Sequence, residues 1–521
     1  MQLSESTLAL IKGLRKDQTT QGISTASQLQ FYYLEPQAKN IYPMFYPVLA
    51  STPRVNPMFN GMKIGGPAVN WKAVVGIDAG GYPGISEGNR NAFMNITTRN
   101  YSAAYKYLGK DTQTSYQAQQ QGLGFDDNVA LARLSLLNAL LNDEERMIIF
   151  GNSGPASVGG NGYALGTTPT GVLTQVVVAG TNLVPGIPAS AQNTVYAVAL
   201  TPWGVTMASI SGVRLPFVRS NADGSQDLIN GGTGIISAAS NSVVTDAAHT
   251  QITVTVNPVV GAVGYAFYVS QNAAPTTANA YFSAVSSTSV ATLSVYNTGN
   301  QTAAAVDPTS NRGLTTDNSY NTLDFDGGMT WGFGTYGSSQ PAYLKDLAGA
   351  GFTSGGDGTI VEFEAVADYL WLSYKISIDA IYLGGTLIQS ASKAILTSST
   401  GPGAQRLILE RDSTGALTGG QLVTEYNWKY SGFATRKTVP IMAHPWIPQG
   451  VVWFDLTTNP YPAAGASIPA VRRIVSLEDH FSILWPPRKL QYETGVYCFE
   501  TQEHYIPFGQ AILTGVGNKV N

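Results

Sequence analysis

A single cysteine, Cys498, stands among 521 residues, so the chain can form neither an internal disulfide nor a multi-cysteine zinc site. It falls in the apolar-alternating run GVYCFE, which reads as a buried thiol on a strand rather than a nucleophile. Charge is scarce as well. Asp, Glu, Lys and Arg together make up 12% of the chain, about half the usual share of a soluble domain. The formal net charge of −4 gives no global basic signature for nucleic acid. The pairs Arg472-Arg473 and Arg488-Lys489 read as ordinary surface or interface charges. No apolar run approaches the length of a membrane span, which excludes an expectation of membrane helices. The opening MQLSESTLALIKGLRKD lacks the basic-then-apolar order of a signal peptide. Synthesis in the cytosol without export is therefore the expectation.

Catalytic and ligand-binding patterns are missing too. The four histidines, His249, His444, His480 and His504, show no metal spacing such as HExxH. Asp479-His480 with Ser482 superficially suggests a Ser-His-Asp set, but adjacent strand residues face opposite ways and Ser482 has no Gly-x-Ser-x-Gly elbow. Glu503-His504 reads as a surface or interface pair. GGTGIIS and GAGFTSGGDG match neither dinucleotide nor P-loop spacing and read as turns. Asp324 and Asp326 precede Gly327-Gly328 but lack the regular oxygen spacing of a calcium loop, so a turn is expected there. No catalytic, cofactor-binding or metal residue is assigned, no cofactor is expected, and the chain is read as a non-enzyme.

What the chain has in abundance is Gly (56), with Ser, Thr, Asn and Ala, and 44% hydrophobic residues. That texture suits a β-rich, loop-rich architecture whose surfaces are covered by copies of itself. At this length two or more domains are expected. Residues 1–55 begin with an amphipathic pattern (Leu8, Ile11, Leu14). FYYLEPQAKNIYPMFYPVLASTP follows, where repeated prolines forbid a continuous helix. Such an aromatic arm should lie across another surface. Within 56–122, NWKAVVGID and AFMNITTRNYSAAYKYLGK flank the turn-rich AGGYPGISEGNRN and read as a long hairpin. A two-stranded hairpin is marginal alone, so it needs a partner surface, its own domain's or a neighbour's.

The helical pattern near 126–150 is the strongest in the chain. Ala130, Leu134, Leu137, Leu141 and Ile148 keep the spacing of one buried stripe, with Asn128, Ser135, Asn142 and Arg146 opposite. Asp126 and Asp127 suit its N-terminus, and Gly151 suits a left-handed exit. The loop GNSG and then TPTGVL complete 123–175. Between 176 and 315 the chain becomes rich in Val, Thr, Ser, Asn and Gly. TVYAVALT, ITVTVNP, GYAFYVSQ and SVATLSVY recur there between turn-rich spacers, as in a β-sandwich. A second amphipathic helix runs through Phe363, Val366, Tyr369 and Leu370, followed by a buried strand in SIDAIYLGG, within a 316–420 segment. Strands then return over 421–521.

Taken in order, these segments resemble the tailed-bacteriophage major capsid proteins of the Hong Kong phage-type fold. The resemblance rests on the arm, the extended hairpin, the spine-like helix with its FGNSG…PTGVL exit, and KTVPIMAHPWIPQGVVWFDL. It rests also on the closing YETGV (Tyr492, Glu493, Gly495, Val496) and LTGV (Leu513 to Val516). NPVVGAVGYAFYVS within the insertion resembles an immunoglobulin or fibronectin type III strand pair. The resemblance implies an α+β fold with peripheral and axial domains, interrupted by an all-β sandwich that projects outward. It implies a subunit that assembles as hexamers and pentamers into an icosahedral shell around packaged double-stranded DNA, touching that DNA weakly and non-specifically. Scaffolding, portal and decoration proteins are the implied further partners, with no membrane. The virion is the implied location and the host cytoplasm the site of synthesis. No long charged scaffold-like segment precedes the arm, so a fused scaffold is not expected. Lys63, Lys72 and Asn89 lie in or near the extended loop, without a signal for covalent bonding. Two other classes fit parts of the composition. A secreted carbohydrate-active enzyme with a fibronectin-like module would need paired carboxylates and an export signal. A tail or fibre adhesin would need repeats and no spine helix.

Overall fold

Asn128–Phe150 forms one continuous helix of 23 residues, and the rest of the chain is arranged around its C-terminal half. The computed structural model describes residues 44–59, 62–63, 66–77, 83–91, 93, 95–122, 127–176, 186–188, 190–246, 250–334, 342–355, 358–396, 423–430, 437–461, 468–475, 478–487 and 489–517. Leu8, Ile11, Leu14, most of the aromatic arm, Asp126, His249 and Arg488 lie outside the described residues. Asp127 starts the helix, its carboxylate accepting from the N–H groups of Val129 (3.1 Å) and Ala130 (3.2 Å). Two donors left open by helix geometry are thereby satisfied.

Two expectations for this helix are corrected. The buried face is Leu136, Leu140, Asn142, Glu144, Glu145 and Ile148, while Ala130 is exposed and Leu134 is 57% exposed. Apolar periodicity misphases the stripe because two of its buried positions are carboxylates with distant partners. Gly151 leaves the helix in an extended conformation (φ −53°, ψ 142°), not a left-handed one. Glycine is needed there because a Cβ would strike the carbonyl oxygens of Phe325 and Met147.

The helix lies on a five-stranded sheet. Its long strand Gln491–His504 pairs with Lys106–Ser115, Val471–Val475 and Phe481–Trp485, and Arg54–Val55 adds in parallel to Val471–Val475. Leu136 and Leu140 pack with Leu108 and Val496 beneath them. The run from AFMNITTRN to YLGK is divided at Tyr105. Ile96–Ala104 pairs with Ala68–Ile77 as the expected hairpin, while Lys106–Ser115 joins the sheet.

A six-stranded mixed sheet follows, in the order Tyr343–Asp346, Ala511–Thr514, Val452–Asp455, Ala380–Leu383, Lys437–Ala443, Glu425–Trp428. Its central strands are buried on both faces, so they read as unbroken apolar runs. One face carries the helix Val361–Tyr374 through Phe363, Val366 and Leu370, packed on Ile381, Phe454 and Leu513. The other presents Tyr382, Trp453 and Ile512 to Ile148, Ile149 and Phe150 at the end of the long helix.

Between helix exit and mixed sheet, two sheets face one another as a sandwich. Leu173, Ile252, Val254 and Leu293 of the smaller meet Val195, Ala197, Tyr265, Phe267 and Val269 of the larger. Counting Val172–Val176, Gln192–Leu200, Val243–Val244, Gln251–Thr255, Gly264–Ser270, Ala280–Ser286 and Val290–Leu293 as seven strands, the larger sheet runs third-second-fifth-sixth. The smaller runs seventh-fourth-first. The immunoglobulin order puts the first, second, fifth and fourth strands in one sheet. Here the first strand pairs with the fourth, so the sandwich is present without that connectivity. A second departure is that the larger sheet is covered on its outer face too. Tyr196, Val198, Tyr268 and Phe282 pack there against Val213, Ile236, Ala303 and Leu314 from irregular chain.

Candidate assembly surface

Among the described residues, three stretches present apolar side chains to solvent. The N-terminal half of the long helix exposes Leu131 and Leu134. The hairpin exposes Val74 and Ile96, and Ile85 and Phe93 stand exposed in the segment joining its strands. The third stretch is the outer face of the five-stranded sheet. Tyr497 and Phe499 alternate there with Val496, Cys498 and Glu500, which are buried. Tyr107 stacks edge-on to Phe499 at 4.5 Å, Phe499 meets Phe481 at 5.3 Å, and Phe481 meets Tyr497 at 5.9 Å. Trp485 closes the row, 6.2 Å from Tyr497 and donating from Nε1 to the Tyr497 hydroxyl at 3.1 Å. Tyr107 is 75% exposed.

The row is preorganised. The Tyr497 ring lies over Gly109 and Gly495, where an added Cβ at either would run into it, and its hydroxyl donates to Asp111. Burial and the bond to Asp111 push that phenol up to about 12. Rigid aromatic rings with few rotatable bonds are effective interface anchors because little entropy is lost on contact.

Beneath the sheet, buried ions fasten the end of the arm. Glu145 accepts from the backbone N–H of Val48 (3.0 Å) and Leu49 (2.6 Å), and meets His444 Nε2 at 2.8 Å. It thus caps the short helix Pro47–Ser51 from another element. Next along the long helix, Glu144 receives Arg473 at 3.1 Å, and Arg473 also donates from Nε to Glu500 at 3.0 Å. The surface reading of Arg472-Arg473 is corrected here: Arg473 is 1% exposed, because its guanidinium bridges two carboxylates on different elements. Arg472, half-buried, pairs with Glu503.

The surface reading of Glu503-His504 is corrected as well, since both are buried on opposite faces of one strand. His504 Nε2 lies 3.1 Å from the Gln510 amide, and burial drives its imidazole down to about 3, so it stays neutral. Gln510 donates in turn to Asp455 at 3.0 Å. Burial raises Asp455 to about 7, with the nearby charge of Asp379 adding to the effect.

Asp479 and His480 are brought together, with His480 Nδ1 3.0 Å from Asp479, but Nε2 is turned to Glu144 rather than to Ser482. Cys498 is buried in its strand. Asp324 and Asp326 lie in the turn that returns the chain from the sandwich. Asp326 accepts from the Ser153 N–H (2.8 Å) and hydroxyl (2.9 Å), while burial raises its carboxyl to about 6. This turn gives the GNSG motif its role. Asn152 donates to the carbonyls of Tyr163 (3.0 Å) on the outgoing chain and Ser319 (3.2 Å) on the returning chain. Gly151 O accepts from Gly327 N–H at 2.9 Å. The motif clasps both ends of the sandwich segment, a role visible only once residues some 170 apart are neighbours. Lys72 and Asn89 are exposed in the hairpin region, and the side chain of Lys63 lies outside the described residues. Among the described residues no helix is long and apolar enough to cross a membrane.

No family model matches the chain, and no curated protein matches it in sequence. Among solved structures it is similar to the capsid of cyanophage A-1(L), at TM-score 0.40 and 8% identity, covering 94% of this chain and 97% of that one. It is similar also to an encapsulin complex of Synechococcus elongatus, at TM-score 0.38 and 7% identity over 100% and 98%. The capsid of Myoviridae phage XM1 gives TM-score 0.36 and 8% identity over 93% and 97%.

Proposed function

We propose that this chain is the major shell subunit of a tailed phage head. The observation that carries the reading is the hairpin Ala68–Ile77 and Ile96–Ala104, most of whose described residues are half-buried or exposed. A hairpin of this length is marginal in water by itself. With the aromatic row and the bare half of the helix, it supports a subunit completed by neighbouring copies. In this reading hairpin and arm lie over adjacent subunits, and many modest contacts sum over a closed lattice of hexamers and pentamers. The sandwich projects from that lattice. The enclosed double-stranded DNA meets an inner face of a chain whose net charge is −4, so contact is weak and non-specific. Scaffolding, portal and decoration proteins are its further partners, and the virion is its location. Negative-stain microscopy of the expressed protein, alone and with its scaffold, tests this. Shells, rings or capsomers are expected, and isolated globules under both conditions contradict it.

A further inference from the structure

The buried ionic cluster under the long helix contains more donors than its ion pairs use. Glu144 on that helix, His480 before the strand Phe481–Trp485, and Cys498 on Gln491–His504 place a carboxylate oxygen, an imidazole nitrogen and a sulfur within 4.8 Å of one another. Glu144 and His480 are 336 residues apart, so spacing along the chain gives no sign of the set. Arg473 organises it from one side. It ties Oε2 of Glu144 and Oε2 of Glu500, leaving Glu144 Oε1 toward His480. Arg54 also approaches Glu144 Oε2, at 3.7 Å. Oε1 of Glu500 has no hydrogen-bond partner, although the residue is fully buried. Glu500 shares a strand face with Cys498 two residues away, and its charge acts on the thiol. A buried carboxylate oxygen without a partner is costly unless something positive meets it.

We propose that Glu144 Oε1, His480 Nε2 and Cys498 Sγ bind one zinc-class divalent ion. A mixed set of sulfur, nitrogen and oxygen donors suits zinc in tetrahedral coordination. The outer groups fit as well. Asp479 sits 3.0 Å from His480 Nδ1, the carboxylate-behind-histidine arrangement that orients metal ligands. His480 is 13% exposed and Asp479 42%, which gives the ion an entry path. The ion would rivet helix to sheet. In its absence His480 donates from Nε2 to Glu144 and meets Arg54 at 3.3 Å through Nδ1, an ordinary ion-pair network.

Cobalt separates the two. Full-length protein is stripped with a chelator and titrated with cobalt(II), followed by visible and near-ultraviolet absorption, then by zinc displacement and thermal unfolding. One cobalt per chain is expected, with tetrahedral ligand-field bands and a sulfur-to-cobalt charge-transfer band. Cys498→Ser should lose the charge-transfer band, and His480→Ala should lose tight binding. Zinc should raise the melting temperature of the parent protein but not of either variant, while the stripped proteins unfold cooperatively. Absence of the charge-transfer band in the parent, or zinc binding unchanged by both substitutions, overturns the site.

Discussion

Glu145 shows how one side chain can hold two distant segments together. Its carboxylate takes two backbone N–H groups of the arm helix and one imidazole, all in a buried setting. Removing one member of such a set leaves the others desolvated without a partner. Glu145→Ala should therefore lower unfolding stability by about 3 kcal/mol in urea titrations, and should speed proteolytic cleavage near Pro47. The buried acid Asp455 makes a different prediction. Its folded pKa of about 7 lies above the ordinary 3.8, so the stability carried by its protonated form is complete below about pH 4. It is lost as pH rises through 7. Asp455→Asn should flatten that limb of the stability–pH profile and make the variant the more stable protein at pH 8. His504 acts in the opposite sense. With its pKa near 3 against an ordinary 6.5, its contribution is present above pH 6.5 and is lost as pH falls toward 3.

At the scale of elements, the long helix and the outer sheet face make separable claims. Leu131 and Leu134 are exposed among the described residues, so replacing both with Ser should change unfolding of the chain by no more than about 0.5 kcal/mol each. The same pair should reduce assembly followed by light scattering. Gly109→Ala places a methyl in the Tyr497 ring and should cost about 1–3 kcal/mol in the same urea titrations, because the ring has glycine on two sides. Much of this level was legible in the sequence. The helix Asn128–Phe150, the hairpin, the strand Ala380–Leu383 and the face of Phe363, Val366 and Leu370 follow from periodicity and turn residues. The burial of Glu144, Glu145 and Arg473 was not legible, since each is satisfied only by a partner contributed by another element. For the same reason the Asn152 clasp and the Glu144–His480–Cys498 cluster escape any scan along the chain. Strand order in the sandwich was hidden too. Alternation tells which segments are strands, but pairing of the first with the fourth is decided by how the chain crosses between sheets.

At the scale of the molecule, a group of buried ions sits among apolar cores, and a group of rings and leucines faces outward among the described residues. Ion pairs and hydrogen-bonded acids bind arm, helix and sheet from within, while rings and leucines face outward. In the proposed reading, those outward rings and leucines are where neighbouring copies would sit. The central claim is therefore that the chain is completed by copies of itself. Sedimentation velocity of the purified full-length protein over rising concentration, with its scaffold added in a parallel series, tests it most directly. The account predicts discrete species many times the 55.2 kDa chain mass, diminished by the Leu131 and Leu134 replacements. A single species at the chain mass throughout both series would contradict it.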